Sequence, residues 1–256
     1  ISGVNNAMDD EAHIKDIELL KEAGMNFIRI AHYPQDPALL KACDKLGIIA
    51  WEEIPIVDFI DTSRVYADNC EYNLKEMIYQ HINHPSVVMW GFMNEILLGI
   101  GRYIPDPNLQ TATFQKTVEL TERLSKVCKK TDPSRLTTIA FHGDDIYNKY
   151  RMGEFTDVVG WNLYPGWYGG NTEGFGRFVD DQHKRFPDRP LIISEYGAGS
   201  DKRINTLKPE MFDFSMQYQQ KYIEDYVKQI NERPFIAGST LWLLNDFGSE
   251  IRDESM

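Results

Sequence analysis

Two glutamates stand where a polypeptide could do proton-transfer or nucleophilic chemistry. Glu95 closes the run SVVMWGFMNE, and Glu195 closes PLIISE. An apolar run ending in Asn94-Glu95 carries a carboxylate from a buried strand to the strand's end. Desolvation at such a place favours the protonated form that a general acid needs. One such glutamate is as readily an exposed loop residue, but two alter the reading. A pair of strand-end carboxylates facing one site is what cleavage of a glycosidic bond requires.

The same criterion, a polar or aromatic residue at the end of an apolar strand, selects a small further set. Arg29 and His32 end NFIRIAH, Glu52 and Glu53 end IIAWEE, Asn162 and Tyr164 end VVGWNLY, and Trp242 and Asp246 end the last apolar run. Arg29 at the end of an apolar strand demands a nearby carboxylate, because an unpaired buried guanidinium is costly. Glu195 and Glu53 are both candidates. His32 is either a ligand for a sugar hydroxyl or a histidine satisfied by its neighbours, while His81 and His84 flank a helix end and read as structural. Trp161, Tyr164, Trp167 and Tyr168 crowd the segment WNLYPGWYGG. Their faces could stack on pyranose rings. Trp161 is equally explicable as core, whereas Trp167 and Tyr168, on a glycine-flanked loop, are harder to place there. Glu52, Glu53 and His32 could in principle ligate a cation, yet neither spacing nor residue type singles them out.

The elements that must position these residues alternate. A helix over Asp9–Gly24 has apolar residues at helical spacing, acidic residues at its start and a glycine at its end. Asn26–Ala31 reads as a strand and Asp36–Leu46 as a helix stopped by Gly47. The pattern continues through strands at Ile48–Ile54, Val87–Phe92, Leu136–Phe141, Val158–Leu163, Leu191–Ser194 and Ile236–Leu243. Between them lie helices at Arg64–Ile82, Leu109–Lys130, Gly176–Arg185 and Met211–Asn231, with a weaker one after Phe141. Counting Gly3–Asn5 as a clipped first strand gives eight strands. Short, nearly all-apolar strands separated by helices imply a parallel sheet covered on both faces. Eight units in about 250 residues suit a (β/α)₈ barrel of the TIM type better than an open doubly wound sheet. The glycine-rich phosphate turn of the open sheet is also lacking: the nearest matches, around Gly99 and Gly174, follow the wrong elements. The expectation is a single domain over residues 1–256, clipped at both ends, with the eighth helix missing, as if excised from a longer chain.

Composition narrows the classes further. The chain is 42% hydrophobic and 26% charged, with a formal net charge of −12. Clustered basic residues are what hold nucleic acid or anionic lipid, so neither is an expected partner, and a neutral substrate fits the charge best. No apolar run approaches the ~20 residues that cross a bilayer. Cys43, Cys70 and Cys128 are odd in number and lack Cys-x-x-Cys spacing, so they read as buried thiols. The Gly-x-Ser-x-Gly elbow, the Walker A loop, the His-Glu-x-x-His helix and the EF-hand pattern are all absent from the sequence.

Taken in order, RIAHYP at Arg29–Pro34, NHPSVVMWGFMNE at Asn83–Glu95, PLIISEYG at Pro190–Gly197 and LWLLNDF at Leu241–Phe247 resemble the catalytic barrel of glycoside hydrolase family 2. That family comprises β-galactosidases, β-glucuronidases and β-mannosidases, and the resemblance runs through essentially the whole chain. It implies that Glu95 is the acid/base, Asn94 the partner of the sugar 2-hydroxyl and Glu195 the nucleophile. Arg29 and Tyr164 would hydrogen-bond the nucleophile, while His32, Asn162 and Trp242 would line the sugar subsite, with Trp167 from the aromatic loop beside them. Substrates would be glycosides or oligosaccharides. Family members also carry jelly-roll-like and immunoglobulin-like domains before the barrel, which would be further partners in the same chain, and a homo-oligomer is compatible with the pattern. In the large magnesium-dependent β-galactosidase the loop after the third strand carries a Glu-x-His metal pair, but the equivalent positions here are Val57 and Phe59. No metal and no other cofactor is therefore expected. The acid-recognising Asn-x-Lys-Gly motif of glucuronidases falls beyond residue 256, and Leu163 stands where glucuronidases often place a basic residue. The resemblance thus favours a β-galactosidase, with β-glucuronidase, β-mannosidase or a non-catalytic carbohydrate-binding barrel as alternatives.

Overall fold

A computed structural model describes residues 8–245. By contact the described residues fall into two compact units, one spanning Asp9–Gly160 and one beginning at Trp161. The boundary lies inside a strand.

In the first unit the elements are α1 (Asp10–Glu22), β1 (Phe27–Ile30), α2 (Pro37–Leu46), β2 (Ile49–Glu53), α3 (Arg64–His81), β3 (Val87–Asn94), α4 (Ile100–Tyr103), α5 (Pro107–Thr131), β4 (Leu136–His142), α6 (Ile146–Lys149) and the start of β5 (Val158–Asn162). The helices begin where short polar side chains satisfy free backbone N–H groups. Asp9 accepts from the Ala12 N–H, Asp36 from that of Ala38, Ser63 from that of Tyr66 and Asp106 from that of Asn108. Pro37 and Pro107 occupy first-turn positions that need no donor. Gly24 and Gly47, at φ 79° and 68°, turn the chain out of α1 and α2. Cys70, Leu74, Met77, Ile78 and His81 form the buried stripe of α3 at helical spacing. Strands β1 to β5 lie in chain order, and the β1–β2, β2–β3 and β3–β4 pairs are parallel, with registers such as Ile28 opposite Ala50 and Trp90 opposite Thr137. Residues on both sides of β3 and β4 are buried, which explains why these strands read as continuous apolar runs.

The second unit holds the end of β5, α7 (Glu173–Arg185), β6 (Leu191–Tyr196), α8 (Met216–Asn231) and β7 (Ile236–Leu241), with β5, β6 and β7 adjacent in that order. Strands β6 and β7 are parallel, pairing Leu191 with Ile236 and Tyr196 with Leu241. Helix α8 buries Tyr218, Tyr222 and Tyr226, four residues apart on one face. The last two stack at 4.4 Å, and the Tyr226 hydroxyl donates to the Pro165 carbonyl at 2.9 Å.

Several expectations shift in detail. Strand β3 runs to Asn94 rather than Phe92, β6 runs to Tyr196 so that Glu195 lies inside it, and α4 is an addition. Helix α8 starts at Met216 rather than Met211, because Phe212 and Phe214 adopt positive φ and Ser215 caps the helix by accepting from the Tyr218 N–H. The expected strand at Gly3–Asn5, Asp246 and whatever follows lie outside the described residues. Cys43, Cys70 and Cys128 are free and buried.

Candidate active site

The C-terminal ends of β1, β2 and β3 bring four of the predicted residues into one network. Arg29 on β1 donates from Nε and Nη2 to the two carboxylate oxygens of Glu53 at 3.1 and 2.9 Å. Its Nη2 also donates to Asn94 Oδ1 at 2.8 Å. The guanidinium carbon lies 4.7 Å from the centre of the Trp51 ring, and His32 Nδ1 stands 3.0 Å from Glu53 Oε1. Of the two carboxylates weighed for Arg29, Glu53 is thus a partner. Both side chains of this pair are almost wholly shielded, so the fork-to-fork geometry matters: a dry ion pair offsets its desolvation only when its hydrogen bonds are well formed. Burial alone would raise the Glu53 pKa, but the charges and hydrogen bonds of Arg29 and His32 outweigh it and hold the carboxyl below its ordinary value. Because a guanidinium can only donate, its bond also fixes which end of the Asn94 amide faces Arg29.

Glycine at 91 makes room for this network. A Cβ there would overlap the Trp51 indole nitrogen and come within 2.8 Å of Glu53 Cβ. The next link is backbone: Asn94 N–H donates to the Ile56 carbonyl, Asp58 N–H donates to the Asn94 carbonyl, and Glu95 N–H donates to Ala140 of β4 at 2.8 Å. Glu95 is the first residue past β3 and takes φ 49°, a left-handed turn uncommon for a residue with a Cβ. Its side chain is half-buried. Beside it is a pair that the sequence reading missed, His142 at the end of β4 and Tyr147 at the start of α6. The Tyr147 hydroxyl lies 2.7 Å from His142 Nδ1. Burial pushes the Tyr147 phenol well above its ordinary pKa, with the Glu95 carboxylate adding to the effect, and burial pushes the His142 imidazole down. His142 was discoverable by the strand-end criterion. It was lost because β4 was ended one residue early.

In the second unit Glu195 is buried on β6, and its Oε2 accepts from the Tyr164 hydroxyl at 2.7 Å. Leu163 N–H donates to the Glu195 carbonyl at 2.8 Å, which fastens the end of β5 to β6. Asn162 Oδ1 accepts from the Ser194 hydroxyl at 2.7 Å. Trp242 follows β7 directly, and its N–H donates to Tyr196. A side chain at Gly197 would overlap the Trp242 carbonyl oxygen, so glycine is needed two residues past the carboxylate.

One expected site residue sits in a different setting from the one its loop suggested. Trp167 is not a loop platform but core: it is only 5% exposed, stacked on Phe212 at 4.6 Å and edge-on to Phe214 at 5.1 Å. Rings contributed by the long segment between β6 and α8 supply the apolar partners that a reading of the local loop could not foresee. Its neighbour Tyr168 is the exposed one, with its ring 5.2 Å from Tyr164. Trp161 packs edge-on against Phe178 and is core. The Glu52, Glu53 and His32 set does not converge, because Glu52 turns to the buried His81 on α3 at 2.8 Å. His84 likewise meets Asp44 at 2.6 Å. Among the described residues no three His, Cys, Asp or Glu side chains are grouped to hold a metal.

Residues 4–256 match the family model described as glycosyl hydrolases family 2, TIM barrel domain. A β-glucuronidase of Bacteroides fragilis is 34% identical over 98% of this chain and 35% of its own length. The crystal structure of a Bacteroides uniformis β-glucuronidase superposes with a TM-score of 0.92 at 52% identity, covering 95% of this chain and 29% of that one. The same figures hold for Bacteroides uniformis β-glucuronidase 2 covalently bound to cyclophellitol-6-carboxylate aziridine. The chain therefore spans about a third of the length of the relatives it matches. The match over almost every residue, in the order the strand-end motifs require, makes this chain the (β/α)₈ TIM barrel domain of a member of glycoside hydrolase family 2.

Proposed function

We propose that this chain is the catalytic barrel of a retaining β-glucuronidase, with Glu195 as nucleophile and Glu95 as acid/base. The observation that carries the reading is the 2.7 Å hydrogen bond from the Tyr164 hydroxyl to Glu195 Oε2, which orients a buried carboxylate at the end of a barrel strand. In the first step Glu195 would attack the anomeric carbon while Glu95 protonates the departing oxygen. In the second, Glu95 would take a proton from the water that releases the sugar, so the anomeric configuration is kept. Asn94, with its amide oxygen engaged by Arg29, would present its nitrogen to the sugar 2-hydroxyl. His32, Asn162 and Trp242 would line the sugar subsite, with Trp167 packed among the rings of Phe212 and Phe214.

Leu163 favoured galactose on the sequence alone, but the relatives named above are β-glucuronidases, one of them covalently bound to a cyclitol that carries a 6-carboxylate. The alternative sugar is therefore the better supported.

Cyclophellitol-6-carboxylate aziridine tests nucleophile and sugar together. Incubated with the full-length parent, it should add one equivalent of mass, and peptide mapping should place the label on Glu195. Labelling by a galactose-configured aziridine but not by the carboxylate would return the assignment to a galactosidase. A label on another carboxylate would remove Glu195 from its role.

A further inference from the structure

We propose that Phe59, Leu98 and Tyr103 form the wall against which the leaving group of the substrate rests, so that the enzyme favours glucuronides of flat, apolar phenols. This rests on Glu95 being the acid/base. Phe59, Leu98 and Tyr103 are 44%, 36% and 54% exposed, although each is apolar or aromatic. The rings of Phe59 and Tyr103 converge at 5.3 Å with a 47° tilt. Water gains nothing from such a surface, and a flat apolar partner would.

Its place beside Glu95 is fixed by backbone hydrogen bonds. Asp58 N–H donates to the Asn94 carbonyl, Gly99 N–H to that of Asp58, Leu98 N–H to that of Glu95 and Tyr103 N–H to that of Gly99. The loop carrying Phe59 and the turn carrying Leu98 and Tyr103 are thus both anchored to the Asn94-Glu95 strand end. A Cβ on residue 99 would come within 2.9 Å of Phe59 Cδ1 and 3.1 Å of Tyr103 Cδ2, so glycine there lets the two rings meet. Asp58 takes φ 67°, which turns the chain so that Phe59 follows on the exposed side.

The chemistry identifies the occupant. A general acid must reach the glycosidic oxygen, the atom that joins the sugar to its leaving group. Side chains adjoining the acid therefore meet the leaving group. Val57 and Phe59 carry no charge, and the Arg102 guanidinium lies over the Tyr103 ring, 6.0 Å from its centre.

The test compares 2-naphthyl, phenyl and methyl β-glucuronides in the full-length parent, the two phenols having similar acidity. Phe59→Ala and Tyr103→Ala should each lower kcat/KM for the naphthyl glucuronide by about ten-fold, and for the methyl glucuronide by far less. Labelling with the aziridine normalises each preparation for intact sites. Tyr79→Ala, on the exposed side of α3, should not change the order of preference. Leu98→Ser provides an independent variant should Phe59→Ala fail to fold. Equal losses for all three substrates, or no loss, would overturn the wall. If the parent cleaves β-galactosides and not glucuronides, the sugar assignment fails, while the same aglycone series on galactose still judges the wall. If it cleaves no glycoside, both fall.

Discussion

Glu95 and Glu195 are held differently, and the difference can be read in kinetics. Glu195 is buried and hydrogen-bonded to Tyr164, as a fixed nucleophile should be, whereas Glu95 is half-buried at a left-handed turn beside Tyr147. Replacing Glu195 by Gln should abolish turnover of every substrate, because no glycosyl-enzyme can form. On the proposed roles, replacing Glu95 by Ala would remove only proton transfer, typically ~10²- to 10⁴-fold. A dinitrophenyl glucuronide, whose leaving group needs no proton, should still glycosylate that variant. Added azide should then release the sugar as the β-glycosyl azide, and failure to form that product would remove Glu95 from the acid/base role. Glu53 makes a different prediction, in stability. Its folded pKa is depressed, so the unfolded chain binds the proton more readily, and its contribution is present above the ordinary glutamate value of about 4.3 and lost as pH falls toward the folded value. The wild-type unfolding midpoint should therefore fall more steeply below about pH 5 than that of Glu53→Gln. The variant should be weaker at neutral pH by about 3–5 kcal/mol, since Arg29 loses the charge that faces it. Parallel pH curves would show that Glu53 does not carry this linkage.

At the scale of elements, what could be read in advance were features repeated along the chain itself. The acidic start of the first helix, the glycine stops at 24 and 47 and the doubly buried strands all announce themselves locally, and all appear as expected. The strand-end criterion also placed Arg29, His32, Asn94, Glu95, Asn162, Tyr164 and Glu195 at or beside strand ends without any contact information, and there they lie. What it could not supply were partners set by tertiary packing. That Arg29 takes Glu53 as a partner depends on β1 and β2 pairing in register and on a glycine at 91 on the third strand. Burial of Trp167 depends on Phe212 and Phe214, some 45 residues downstream in a segment that looked helical. Positive φ at both phenylalanines breaks that helix, and nothing in apolar periodicity signals it. His142 was lost to a boundary error of one residue, which is the scale on which strand ends are uncertain and on which active sites of this architecture are built.

At the scale of the whole molecule, the net charge of −12 suggested a neutral substrate, yet the proposed sugar is an anion. The conflict is weaker than it looks. At physiological salt the Debye length is about 8 Å, so charges distributed over the surface are largely screened from a bound sugar, whereas a direct contact to its carboxylate is not. Recognition must therefore come from a few local donors rather than from the overall field. Leu163 is a buried apolar residue whose side chain supplies no such donor. A preference for an acid is therefore to be tested on the full-length protein. Nitrophenyl β-glucuronide and β-glucoside differ only in a carboxylate against a hydroxymethyl group. A set of charge-assisted hydrogen bonds at about 1.5–3 kcal/mol each should make kcat/KM for the glucuronide at least about ten-fold higher. If the contact is local, raising the salt concentration should erode that ratio only modestly, whereas a ratio set by long-range attraction would collapse. A parent enzyme that prefers the galactoside, or treats glucuronide and glucoside alike, would show that Leu163 was the better guide and that the relatives' sugar does not transfer to this chain.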